Sequence, residues 1–205
     1  MKGKCDELIH QIQGMGIGAA ECLACLQKTF ISHSLEAARE CRDKIAVMRA
    51  KEREIVKNVE RSERPSAEKE ELKEVCRLFL EICGYLEAMA DTLQKKAREH
   101  ILFSNRAVTE ISFLSQTLAD VLRATADLVV VKNPVLMRYV KESEAMVAKV
   151  SREYATHHEE RLIEGLCLPV ASPIFLKLLD EFNGMARKAK EIAERMSAQK
   201  SGPEP

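Results

Sequence analysis

Between Leu72 and Ala97 an apolar residue returns every three or four positions: Leu72, Val75, Cys76, Phe79, Ile82, Cys83, Leu86, Ala90, Leu93 and Ala97. At 3.6 residues per turn these side chains fall on one stripe of a helix, whereas on a strand they would scatter over both faces. The seam holds for more than three heptads, and the helix it predicts, about 67–99, is roughly 50 Å long at 1.5 Å per residue. A rod of that length cannot bury its stripe alone. It requires partner helices of similar length, which restricts the rest of the chain to an elongated bundle.

The same spacing recurs on both sides of this segment. Leu8, Ile12, Met15, Ala19, Cys22, Leu23, Leu26 and Phe30 predict a first helix over about 4–31, and Ser34 as N-cap with Glu36 in the first turn opens a second over 35–61. Pro65 excludes its predecessor from helix, which makes 62–66 a break, and Ser66 is placed to cap the third helix. After Ser104 the pattern predicts a fourth helix at 105–131, a break at 132–134, and a fifth at 135–164 with Gly165 just past its end. Ser172 and Pro173 supply the N-cap and first position of a sixth, whose seam is Phe175, Leu178, Leu179, Phe182, Ala186, Ala189, Ala193 and Met196. Gly14, Gly16 and Gly18 each cost up to about 1 kcal/mol relative to alanine in mid-helix, so they predict close packing or a kink.

Composition supports helices throughout. Hydrophobic residues make up 46% of 205, enough for a substantial core, while aromatics are 4%, tryptophan is absent, and there are only 8 glycines and 6 prolines for turns. Lysine plus arginine and aspartate plus glutamate balance at 32 each, so no basic field exists to hold a phosphate backbone and nucleic acid is not an expected partner. No run of about 18 apolar residues predicts a transmembrane helix, and the opening MKGKCDELIHQ lacks a signal peptide's apolar stretch. Cys5, Cys22, Cys25, Cys41, Cys76, Cys83 and Cys167 are odd in number and mostly at apolar positions, which fits free thiols in a reducing compartment. A cytoplasmic location is the expectation.

Residues 86–91, LEAMAD, are echoed 96 positions later by FNGMAR at 182–187, with the same apolar skeleton. Three helices followed by three helices, third echoed by sixth, indicate an internal duplication. The predicted class is all-α: two tandem three-helix bundles side by side with antiparallel neighbours, residues 1–100 and 101–197, followed by a polar, disordered tail at 198–205. The echo also marks a candidate site. Glu87 and Asp91 lie four apart, so both carboxylates leave one helix face, as a hard cation requires, whereas Asn183 and Arg187 at the second copy would repel a metal. One helix supplies only part of a shell of about six oxygens, so Asp43 or Glu40 of a neighbouring helix would have to complete it. A solvated strip beside the core is the competing reading of the same pair.

Other constellations carry less chemistry. Cys22 and Cys25 have CxxC spacing, but they lie mid-helix among apolar residues with no second CxxC, so they read as core, with His33 and Cys41 the nearest further ligands. Gly14-Met-Gly-Ile-Gly18 follows no strand and precedes no Lys-Ser/Thr pair, which argues against a phosphate loop. His157-His158-Glu159-Glu160 is neither HExxH nor a Glu-x-x-His repeat, and adjacent helical residues do not share a face, so it reads as surface. No serine, histidine and aspartate set or cleft-borne carboxylate pair stands out, and an enzyme is not expected.

The duplicated six-helix layout, the segment Tyr85 to Asp91, and above all His158-Glu-Glu-Arg-Leu162, Gly165-Leu-Cys167 and the sixth helix resemble PhoU proteins, in particular the PhoU-like domains attached to sodium/phosphate cotransporters. The resemblance spans about residues 5–196 and is most specific over 154–196. It implies an all-helical fold of two three-helix repeats and a cytoplasmic, non-enzymatic regulator of phosphate uptake and signalling. The implied partner is a phosphate transporter or phosphate-signalling protein, through which the chain would reach a membrane peripherally. The family's third-helix motif, Leu-Glu-Arg-Ile-Gly-Asp, is matched at Glu87 and Asp91 and lost at Asn183 and Arg187. Its second-helix aspartates fall on Ala46 and Ala148, with Asp43 and Glu144 the acids nearby, so three of the four half-sites of the family's metal clusters are broken. The implied metal site, for iron, manganese, zinc or magnesium, is thus degenerate. A homodimer through a residual apolar stripe is a further expectation.

Overall fold

Each seam finds the partners it requires in six helices: α1 (Lys2–Ser32), α2 (Leu35–Arg61), α3 (Ser66–Arg98), α4 (Asn105–Val131), α5 (Pro134–Ile163) and α6 (Ser172–Ser197). The computed structural model describes the backbone of residues 2–197 and the side chains of residues 7–196. The Cys5 side chain and the tail expected at 198–205 lie outside what is described. No strand occurs among those described.

The breaks form largely as their residues dictate. Ser34 accepts a hydrogen bond from the Ala37 amide at 3.2 Å, and Ser104 does the same for Ala107 at 3.3 Å. Asn133 caps α5 through the Val135 amide at 2.8 Å, with Pro134 in the first turn. Gly165, at φ +72°, takes the left-handed conformation that releases the chain from α5. Two expectations need correction. Pro65, not Ser66, occupies the N-cap position of α3, and it provides no side-chain cap. Ser172 is already helical, because a 3₁₀ turn at Pro169–Ala171 leads directly into α6.

Helices α1, α2 and α3 contact one another, as do α4, α5 and α6, and the two groups meet along α1 with α4 and α3 with α6. Short connections alternate the helix direction, so α1 and α3 run parallel, as do α4 and α6. The expectation of antiparallel neighbours throughout therefore fails for these two pairs: closing a three-helix unit brings its first and third members together. Every residue of the predicted seams of α1, α3 and α6 is buried, and the buried side chains form one cluster across both groups. Phe79, Phe175 and Phe182 are its largest members, each stabilising the fold by about 1.5–3 kcal/mol through burial.

Helix α1 runs unbroken through its three glycines. At Gly16 a Cβ would lie 2.7 Å from Ala126 of α4 and 2.9 Å from the Phe79 ring of α3, so the missing side chain lets three helices close on one point. The α1–α2 turn and the α3–α4 and α5–α6 loops gather at one end of the molecule.

Candidate functional site

Glu87 and Asp91 face α2, and each meets an arginine. Arg49 donates from Nε and Nη2 to the two oxygens of Glu87 at 2.9 and 2.7 Å, and Arg42 donates to Asp91. The pairing follows from antiparallel helices: Arg42 and Arg49, seven apart, share one face of α2, opposite two acids four apart on α3. The hydrogen bond to Glu87 raises the pKa of Arg49 further, so its charge is permanent. The acid side chains are 41% and 66% exposed, which limits each pair to about 0.2–1 kcal/mol. Glu40 and Asp43, the candidate completing ligands, lie on the opposite side of α2 in a groove with α1, where Glu40 pairs with Lys44 at 3.1 Å. The structure does not bring them to Glu87 and Asp91.

At the second copy the chemistry differs. Asn183 has a buried Oδ1 without a partner, and Arg187 donates to the Tyr85 hydroxyl of α3 at 3.3 Å. Glu144 of α5 accepts from Lys190 of α6 at 3.0 Å. The acid thus sits on the second helix of this unit and the bases on the third, the reverse of the first unit.

A buried polar cluster lies where α4, α5 and the α5–α6 loop meet. Glu110, 2% exposed, accepts both guanidinium hydrogen bonds of Arg161 at 2.9 and 2.7 Å and a third from Arg106 at 3.3 Å. His158 is buried, which corrects the surface reading of 157–160, although His157 is exposed. Its ring stacks on Phe175 at 4.4 Å, neither ring nitrogen has a partner, and burial followed by the Arg161 charge lowers its pKa. Cys167 closes the cluster through its thiol, 3.7 Å from the Ser104 hydroxyl.

Two further groups went unnoticed in the sequence. Lys96 is 3% exposed and donates to the Phe30 carbonyl at 3.0 Å, with its ammonium 3.1 Å from His33 Nε2 and over the Phe30 and Phe103 rings. Burial lowers its pKa to about 8. Its signal was a base between the seam residues Leu93 and Ala97, as that of Glu110 was an acid among Ala107, Ile111 and Leu114. Cys22 is fully buried and reaches the Cys41 carbonyl, whereas Cys25 is partly open beside Lys44, so only one of the CxxC pair lies wholly in the core. His33 joins Lys96 and not the cysteines. Burial pushes the Cys76 and Cys83 thiols up to about 12, leaving them protonated.

No protein-family model matches the sequence, and no curated protein matches it. Solved structures do match. PhoU from Pseudomonas aeruginosa superimposes with a TM-score of 0.80 at 14% identity, covering 95% of this chain and 96% of that one. The phosphate transport system regulatory protein PhoU from Streptococcus pneumoniae gives 0.82 at 11% identity, over 96% and 95%. A PhoU-like phosphate regulatory protein from Shewanella oneidensis MR-1 gives 0.66 at 11%, over 93% and 97%. The chain has the PhoU fold.

Within that PhoU framework the donor set does not fit a metal cluster. Two carboxylates are each engaged by an arginine, and no group of three metal-ligating side chains gathers among the described residues. No helix among the described residues is long and apolar enough to cross a membrane.

Proposed function

We propose that this chain is a PhoU-like regulator of phosphate transport or phosphate signalling that works as an adaptor, through contacts of its helix faces and without bond chemistry. The observation that carries this reading is the superposition of nearly the whole chain on PhoU proteins, one of them described as a phosphate transport system regulatory protein. The ion pairs at Glu87 and Asp91 favour an adaptor over a metal-dependent device, since a cation would have to displace two guanidinium groups. The expected partner is a cytoplasmic surface of a phosphate transporter or of a phosphate-signalling protein. Affinity capture of the full chain from cells grown at low and high phosphate should recover such a component, and deletion should alter phosphate uptake or phosphate-responsive expression. Unchanged uptake and expression, with no transport or signalling component captured, refutes the proposal.

A further inference from the structure

We infer that the groove between α1 and α2 is the docking site for a basic amphipathic helix of a protein partner, an inference that rests on the adaptor reading and names its contact surface. The groove is open and holds about 740 Å³. On α2 its lining runs from Glu40 to Ile55, sixteen residues, whose fifteen steps of 1.5 Å span about 22 Å or four turns of helix.

Its floor is apolar and low. Met15 and Met48 lie buried beneath it, and flexible thioethers adapt to an incoming side chain. A Cβ at Gly14 would meet nothing within 4 Å, so that stretch of α1 presents bare backbone to whatever approaches. Ile17 and Val47 remain 39% and 52% exposed beside it, large apolar side chains that no other helix of the chain covers.

The rim is acidic. Glu21, Glu40, Asp43 and Glu54 stand against Lys44 and Lys51, a local charge of −2 on a chain whose formal charge is zero. Only Glu40 is within ion-pair distance of a base. Glu21, Asp43 and Glu54 have no ion pair among the described residues, whereas on the outer face of α3 Glu74 and Glu81 share Arg77. An apolar strip bordered by unpaired carboxylates is complementary to a helix with an apolar stripe flanked by lysine or arginine.

The test is a fluorescence-anisotropy titration of the full chain with a labelled 16-residue helical peptide carrying leucines at helical spacing flanked by lysines. Two control peptides replace the lysines by glutamates or scramble the stripe. The basic peptide should bind saturably and at least tenfold more tightly than either control. Asp43→Lys with Glu54→Lys should weaken it at least tenfold. Gly14→Leu should weaken it similarly while raising the melting temperature by about 2–4 °C, because leucine in open space improves helix propensity by roughly 0.8–1 kcal/mol. Since stability rises as binding falls, misfolding cannot account for the loss. Absence of binding, equal binding of the controls, or indifference to both variants overturns the inference. So does a chain that sediments as a dimer and becomes monomeric on Gly14→Leu, which would place a second copy in the groove. If Gly14→Leu abolishes peptide binding but leaves capture of a phosphate component intact, the partner docks elsewhere: the inference is overturned and the adaptor reading stands.

Discussion

Gly84 on α3 and Gly184 on α6 are both interior helical glycines, and the structure predicts opposite outcomes for the same substitution. A Cβ at Gly84 meets nothing within 4 Å. Gly84→Ala should therefore recover about 0.8–1 kcal/mol of helix propensity, or roughly 2–4 °C in a chain of this size. At Gly184 the added carbon would lie 2.3 Å from Cε1 and 2.5 Å from Cζ of Tyr85, across the seam between the two halves. Carbon atoms rest at about 3.5–4.0 Å, so the ring must retreat by more than about 1 Å, and its hydroxyl must give up Arg187. Overpacking of this kind costs about 1–3 kcal/mol. The propensity gain is common to both sites, so the difference between the two variants isolates that cost. Thermal melts followed by circular dichroism, with guanidinium titrations to confirm an unchanged slope, measure it. In a Tyr85→Ala background the clash is gone, and Gly184→Ala should stabilise. If Gly184→Ala raises the melting temperature as much as Gly84→Ala while Tyr85 is present, the close approach of α3 and α6 is wrong.

Glu110→Ala should cost about 3–5 kcal/mol, because it strands Arg161, 13% exposed, as a buried charge without its carboxylate; a denaturant midpoint that barely moves would contradict that burial. Lys96 has a folded pKa of about 8, below its unfolded value near 10.4, so the folded state holds the proton less tightly. Its stability contribution is present above pH 10.4 and is lost as pH falls towards 8, so stability rises with pH across that window, by at most about 3 kcal/mol from this group. Lys96→Met should flatten the rise in melts taken from pH 7 to 10.5, and an unchanged profile would assign it to other groups. Glu87→Gln with Asp91→Asn should leave metal content by elemental analysis unchanged and lower the melting temperature by only a few degrees. A melting temperature raised by iron, manganese, zinc or magnesium in the parent chain, and not in this variant, would restore the metal reading.

The helices were legible because each seam is a local signal: the spacing of Leu72 to Ala97 says helix, and nothing distant has to be known. Ser34, Ser104 and Gly165 act within four residues of their own positions, so the corresponding boundaries fall within two residues of those read from the chain. Pro65 was half legible: it breaks α2 from α3 as expected, but its fixed φ lets it stand at the N-cap itself, which displaced Ser66. The parallel pairing of α1 with α3 was illegible, since it depends on how a three-helix unit closes. His158 was misread for a related reason. Its neighbours His157, Glu159 and Glu160 are exposed, and only α6, which brings Phe175 onto the ring, shows that the second member of the run points inward.

The candidate site shows the same division more sharply. That Glu87 and Asp91 share a face is a property of α3 alone, and it held. What faces them is a property of α2, where Arg42 and Arg49 are as ordinary in the sequence as any other bases. The two halves then explain each other. In the first, α2 supplies the bases and α3 the acids; in the second, α5 supplies Glu144 and α6 supplies Lys190. Either polarity joins the second helix of a unit to the third, so a demand for opposite charges across that interface is met in both halves. A demand for clustered oxygen ligands is met in neither among the described residues. Rebuilding the motif at Asn183 and Arg187 would place new carboxylates on the side of α6 that faces Glu144, adding repulsion to an interface now held by attraction. The helix seam that first restricted the chain to a bundle therefore also places its charges: Glu87, Asp91 and Glu144 each hold one helix against the next, whereas Glu21, Asp43 and Glu54 line the α1–α2 groove without an ion pair among the described residues.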